Sequence, residues 1–562
     1  MNGVGETARS GKIPVGAAPA RGADRLRIAA FIAAAFVLRL VLGARDDLIF
    51  NDGPHFIDIA RAFNEGQTRH ALSHVYHPLY SWLMAKAYPL LGDYERAGLV
   101  VSALAGALVG IPLWLFFRRL FGRRIAWTAL VLWAFHPFAV RYAANVQSDS
   151  VFLLFFTAGV AVLWRALTLL PKWKGVGMFP VVGVCAGLAY LTRPEGVGLA
   201  ALGGFWILLG FWPRPGARLR PEFFPRALAA VLLVAGFLII AYPYLNHIHQ
   251  STGIWQLTQK KSVLHLVGVG EQKKPSWAED TVMKRIEADI GRPPIRRSTT
   301  FERYVGRGAR MLVGLAEALT WQLVPFLLLG LAVRGRALWR TRGDLYLLSF
   351  IALYGLTIYR LVVTLGYGSK RHLFTLALLA LGWTALGLVS LGPRLEAFLA
   401  RRGLPLARRS AALLLAAAVV SLLPMTLAIN AGEGIGERLA GEWIRDHTGA
   451  GSRPLVFAPR ERITYYAGAR FLPVPVRFSY DAVVAYVRGY GADFVVTYDG
   501  STESHYPQFT TSIRAEDLEL TASFPVREGS EQFYRVYRVL YPEGRPAAPP
   551  QLPRRMWRGE SP

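Results

Sequence analysis

Four short polar stretches carry the groups in this chain that could do chemistry. They are Phe50-Asn51-Asp52-Gly53-Pro54-His55-Phe56, Arg141-Tyr142-Ala143-Ala144-Asn145-Val146-Gln147-Ser148-Asp149, Thr192-Arg193-Pro194-Glu195-Gly196 and Gly368-Ser369-Lys370-Arg371-His372. Each borders an apolar segment, and together they offer three carboxylates (Asp52, Asp149, Glu195) and four strong cations (Arg141, Arg193, Lys370, Arg371). A carboxylate held in place can take the proton of a hydroxyl. Arg presents a planar fork of donors to a phosphate, and Lys presents a point charge. The combination suits transfer of a sugar carried on a lipid phosphate. The carboxylate removes the acceptor proton while the cations stabilise the departing phosphate. Phosphate leaves without a general acid, so one base suffices, unlike the paired carboxylates of most glycosidases.

Plainer roles compete for the same residues. Asp52 and Asp149 both fit helix N-caps, the first before a helix starting near Pro54 and the second before an apolar run with Phe152, Phe155 and Phe156. Arg193 and Glu195 fit a pair that holds a turn, and Lys370 and Arg371 fit side chains reaching from a helix end to the membrane interface. His55, His70, His74, His77 and His265 could supply metal ligands, but no HExxH or comparable spacing joins them. No Walker loop, paired CxxC or GxSxG elbow is present. The pattern requires no cofactor, although a divalent metal is compatible with it.

The elements that must position these groups are apolar runs of membrane-spanning length. Of 562 residues, 53% are hydrophobic, and about eleven spans are expected by the spanning-length rule. They fall near residues 26–44, 96–117, 125–140, 150–170, 176–191, 196–212, 227–244, 311–333, 345–366, 373–391 and 411–429. The first span contains Arg39 and reads as an uncleaved anchor. The net charge of +27 arises mainly from Lys and Arg clusters between spans, which fits membrane topology and needs no nucleic-acid partner. Those clusters share the side of the N-terminus, so the four polar stretches face outward. A basic triplet at Lys370-Arg371-His372, against that orientation rule, therefore marks a site. The single cysteine, Cys185, permits no intramolecular disulfide.

The expected architecture is an α-helical polytopic membrane protein with a small C-terminal α/β extracytoplasmic domain. Residues 1–25 read as a disordered cytoplasmic tail and 26–430 as the membrane domain, with outer loops at 45–95 and 246–310. Residues 431–542, where helical and strand patterns alternate, form the outer domain, and 543–562 is a Pro/Arg-rich tail. The second outer loop brings Lys260 toward the same face and reads as a lid or acceptor-binding segment.

At these residues the sequence resembles the integral-membrane glycosyltransferases of the GT-C class, specifically bacterial relatives of protein O-mannosyltransferases and lipid A aminoarabinose transferases. The resemblance runs from Arg39 and Asp52 through His77-Pro78-Leu79, Ser148-Asp149-Ser150-Val151, Thr192-Arg193-Pro194-Glu195-Gly196 and Gly253 to Lys260. It ends with Lys370-Arg371-His372 and, in the last domain, Tyr465-Tyr466-Ala467-Gly468. It implies inverting transfer from a polyprenyl-phosphate-sugar donor to a lipid, glycan or protein acceptor on the outer face of a bacterial inner membrane. Asp52 is then the base, and Arg371, Lys370 and Lys260 meet the donor phosphate. Asp149, Arg193, Glu195, His55 and His77 are further site candidates. The chain departs from the family pattern in lacking a second acidic residue beside Asp52 and a Tyr shortly after it, and in having His372 where Tyr is usual. Two other classes stay open at this point: a transporter or lipid flippase using buried charges such as Arg39 and Glu317, and a non-catalytic envelope assembly protein.

Overall fold

Apolar helices dominate the structure, a computed structural model that describes residues 21–210, 223–260, 301–365, 369–402, 409–428, 434–449, 451–473, 479–499, 512–527 and 529–546. Among the described residues nine helices are long and apolar enough to cross a membrane. Two more of the expected spans appear as shorter helices, Arg123–Phe135 and Val197–Leu209. The first stops at His136, which adopts an extended conformation (ψ 123°) because Pro137 follows it. Most of the expected tails at 1–25 and 543–562, the stretch 261–300 with His265, and Gly368 lie outside the described residues.

One expected span is built differently. Residues 311–333 are divided between the helices Arg307–Leu319 and Val324–Arg334, joined by a 3₁₀ turn at Trp321–Leu323. The break is at Thr320, whose φ of 73° no α-helix accommodates. The first of these helices carries the charged Glu317, and the second starts with Pro325 in its first turn.

The helix Lys370–Arg401 runs through the middle of the bundle and is almost entirely buried from Leu373 to Leu388. A helix apolar on every face belongs in such a place. Its contact with Val324–Arg334 is close enough to require glycine. A Cβ on Gly387 would lie 1.9 Å from the Phe326 carbonyl oxygen, and one on Gly330 would lie 1.9 Å from that of Trp383. Small residues at such crossings let backbones approach where lipid offers no hydrophobic drive.

The loop expected at 45–95 is largely helical, with helices at Gly53–Asn64, Thr68–Leu72 and Leu79–Leu91. Against it rests a five-stranded sheet with β1 (Leu455–Ala458), β2 (Arg470–Pro473), β3 (Phe494–Tyr498), β4 (Leu518–Pro525) and β5 (Phe533–Val539), in the order β2-β1-β3-β5-β4. β1 pairs in parallel with β2 and β3, and β5 lies antiparallel to β3 and β4. Strand alternation sorts the core into two layers. Leu455, Phe457, Val495, Tyr537 and Val539 face the helix Tyr480–Gly489. Val456, Ala458, Phe494, Val496 and Val536 face the helices Ile435–Asp446 and Glu461–Ala467. The second layer is the one turned toward the membrane domain.

Candidate active site

Asp52 precedes the Gly53–Asn64 helix but does not cap it: no capping hydrogen bond forms from its side chain. Its carboxylate turns instead to another part of the chain. Oδ2 accepts from Arg371 Nη1 at 2.6 Å, and Oδ1 accepts from the Tyr76 hydroxyl at 2.9 Å. Arg371 stands in the first turn of Lys370–Arg401, its guanidinium over the Phe50 ring at 5.3 Å. Its Nε also donates to Asp149 Oδ1 at 3.1 Å. Asp149 begins the helix Asp149–Leu169 and pairs in addition with Arg193 Nη1, whose Nη2 reaches Glu195 Oε1 at 3.2 Å. The turn-holding role of Arg193 and Glu195 and their place in a larger cluster therefore coexist.

Four separate chain segments thus meet at one ionic network near the helix ends. Lys260 joins it, with its ammonium 4.7 Å from the centre of the Tyr76 ring and its field acting on both Glu195 and Asp52. Asp52, Asp149 and Glu195 are set against Arg193, Arg371 and Lys260, so the opposed charges balance. Asp149 and Arg193, only 5% and 10% exposed, sit at the buried centre of this balanced set, where each faces a partner of opposite type. Burial pushes the Asp52 carboxyl up, yet the charge and hydrogen bond of Arg371, helped by Lys260 and Tyr76, outweigh it. The result lies well below the usual carboxylate range. Burial pulls the Lys260 ammonium below its ordinary value.

The other expected residues lie around this centre in distinct roles. Lys370 turns away to Glu317 Oε2 at 2.8 Å and is half exposed. Successive helical residues point about 100° apart, so Lys370 and Arg371 cannot both face Asp52. His77 is buried, and burial pushes it down to about 3. Nδ1 lies 2.5 Å from the Tyr190 carbonyl and Nε2 lies 3.2 Å from Thr258 Oγ1. A neutral ring donates from Nδ1 to that carbonyl and accepts from the Thr258 hydroxyl, steadying the segment that carries Lys260. His55 meets Glu461 of the C-terminal domain at 2.9 Å. Although burial opposes it, that carboxylate raises the His55 pKa above its ordinary value. Among the described residues no group of three or more His, Cys, Asp or Glu is arranged to hold a metal ion.

Two contributors were not singled out from sequence. Tyr76 holds Asp52, its hydroxyl donating to Oδ1 from within the loop. Asn145 clamps the approach to Asp52: its Oδ1 accepts from Phe50 N at 2.8 Å and its Nδ2 donates to the Leu48 carbonyl at 3.0 Å. Asn145 is 6% exposed in the structure.

Residues 73–246 match the dolichyl-phosphate-mannose-protein mannosyltransferase family. Among solved structures, the chain is similar to ArnT from Cupriavidus metallidurans bound to undecaprenyl phosphate (TM-score 0.52, 14% identity, 91% of this chain and 98% of that one). The apo form of the same protein gives TM-score 0.53 and 15% identity over 92% and 98% of the two chains. The Archaeoglobus fulgidus oligosaccharyltransferase in complex with Zn and sulfate gives 0.50 and 13% over 88% and 72%. No curated protein sequence matches the chain. The fold is that of the GT-C class of membrane glycosyltransferases, as in ArnT, and the chain is a multi-pass membrane protein. Glycosyl transfer is the general chemistry these likenesses support.

Proposed function

We propose that this protein is an inverting glycosyltransferase that moves a sugar from a polyprenyl-phosphate donor to an acceptor hydroxyl on the extracytoplasmic face of the bacterial inner membrane. The observation that carries the reading is the contact between Asp52 and Arg371, 319 positions apart, at the membrane face of a GT-C fold. A general base and a phosphate-binding cation are adjacent there, as the reaction requires. ArnT binding undecaprenyl phosphate supports a lipid phosphate as the leaving group. The N-terminus is cytoplasmic in this orientation.

In the proposed step the acceptor oxygen attacks the anomeric carbon as the bond from that carbon to the phosphate oxygen breaks. The acceptor proton goes to Asp52, and the charge released on phosphate falls to Arg371 and Lys260. Because the cluster is already balanced, a donor phosphate competes with Asp52 for the Arg371 fork. Drawing Arg371 toward phosphate removes the main influence that keeps Asp52 so weakly basic. The donor therefore readies its own base. Asp149 and Arg193 hold Arg371 in place from the opposite side.

The test is turnover of polyprenyl-phosphate sugars by the purified protein in lipid nanodiscs, with Asp52→Asn alongside the native chain. Loss of transfer in a folded variant supports the reading. Undiminished transfer rejects it. Uptake by vesicles without any transfer favours a transporter instead.

A further inference from the structure

We infer that the C-terminal α/β domain positions the catalytic carboxylate, with Arg462 and Tyr466 gripping the backbone of Ile49 just ahead of Asp52. The inference rests on the reading of Asp52 as the base. Ile49 is 3% exposed, so its peptide groups need protein partners. Both come from the far end of the chain. Ile49 N donates to the Tyr466 hydroxyl at 2.8 Å, and Arg462 Nη1 donates to the Ile49 carbonyl at 3.1 Å.

The grip is itself fixed. Arg462 meets Glu437 through two parallel bonds, Nε to Oε2 and Nη2 to Oε1, each 2.8 Å. The Tyr534 hydroxyl donates to Glu437 Oε1 at 2.8 Å, from the strand β5. Glu437 is 1% exposed, and a bidentate pair of this kind leaves Arg462 no freedom to swing. On the other side of Asp52, His55 meets Glu461, which neighbours Arg462. Arg438 Nη1 adds a bond to the Asp47 carbonyl at 3.1 Å.

Asp52 therefore lies between two attachments to one helix, Glu461–Ala467, while Asn145 holds the intervening backbone from the membrane domain. Arg371 pulls on Asp52 from a third direction. A base must be held to within about half an ångström of its working place, and the opposing attachments set that place. Arg462 and Tyr466 touch no reacting atom in this scheme. They are positioning residues.

The experiment uses the full-length protein in nanodiscs and two readouts: amide exchange of the peptide covering residues 48–56, and kcat and KM for a polyprenyl-phosphate-sugar donor. Tyr466→Phe removes one bond to Ile49 and leaves the ring. Arg462→Lys keeps a charge facing Glu437 but loses the fork. Tyr541→Phe is the control, since that hydroxyl donates to the Ala492 carbonyl at 2.6 Å within the same domain. Tyr466→Phe is expected to speed loop exchange about fivefold, the loss of one ordinary hydrogen bond. It is expected to lower kcat about tenfold with donor KM unchanged, because misplacing a catalytic group slows the chemical step without touching donor contacts. Tyr541→Phe should move neither readout. Unchanged exchange in both Tyr466→Phe and Arg462→Lys overturns the inference, as does an equal effect from Tyr541→Phe. Exchange reports on the bracing and Asp52→Asn on the base, so the two ideas fail separately.

Discussion

Replacing Asp52 by Asn should change two quantities in opposite directions. The amide keeps the shape of the carboxylate but cannot accept the acceptor proton, and general-base removal lowers rates by about 10²- to 10⁴-fold. That equals roughly 2.7 to 5.4 kcal/mol of lost transition-state stabilisation. Donor affinity should not fall with it. Asp52 holds Arg371 Nη1 at 2.6 Å, so neutralising it releases that nitrogen for the donor phosphate. Its side chain is 20% exposed, so the competition is only partly screened. The expected gain is up to about tenfold in donor affinity, or ~1.4 kcal/mol. The assay pairs single-turnover kinetics with equilibrium binding of polyprenyl phosphate, with thermal unfolding to confirm the fold. Turnover within tenfold of the native protein refutes the base assignment. Weakened lipid-phosphate binding refutes the competition for Arg371.

Arg371→Ala should do the reverse to binding, weakening polyprenyl phosphate about 10- to 100-fold, the loss of a charge-assisted contact, as read by the same titration. Lys370→Ala, whose side chain faces Glu317, should leave that affinity within about twofold, since exposed pairs contribute little. Arg193→Gln leaves the buried Asp149 with Arg371 alone and removes the arginine partner of Glu195, and should destabilise the membrane domain by roughly 1 to 3 kcal/mol, seen as a fall in Tm. The pairing of His55 with Glu461 should vary with pH. Because the folded pKa of His55 is raised, its stabilising contribution is complete below about 6.5, the unpaired value. It is lost as pH rises through the higher folded value. Limited proteolysis where the first outer loop meets the C-terminal domain should accelerate from pH 6 toward pH 9, and Glu461→Gln should flatten that dependence.

The spans were legible because about 20 apolar residues in a row have few other homes. Sidedness then predicted that Asp52, Asp149, Arg193 and Arg371 would share a face, although no pattern local to any of them says that they touch. The plainer role of helix cap at Asp52 is not taken up, because its carboxylate meets the Arg371 guanidinium and the Tyr76 hydroxyl instead of backbone N–H groups. The division of residues 311–333 was hidden, since Thr320 has no sequence mark of positive φ. The pause at His136 was readable in Pro137. In the C-terminal domain, β1, β3 and β5 showed as β-branched or aromatic runs, whereas β2 is four residues long and β4 is mixed in burial. Tyr76 and Asn145 escaped notice because one polar side chain inside a loop carries no periodicity.

The grip on Ile49 joins the first long loop of the chain to a helix of the C-terminal domain, 417 positions later. During synthesis the helices between them emerge and insert first, and throughout that interval Ile49 lacks both of its distant partners. The backbone just ahead of Asp52 is thus fully held only when the final domain has folded against it. A ribosome that stalls before the codon for Arg462 therefore leaves a bundle in which the backbone of Ile49 stays ungripped.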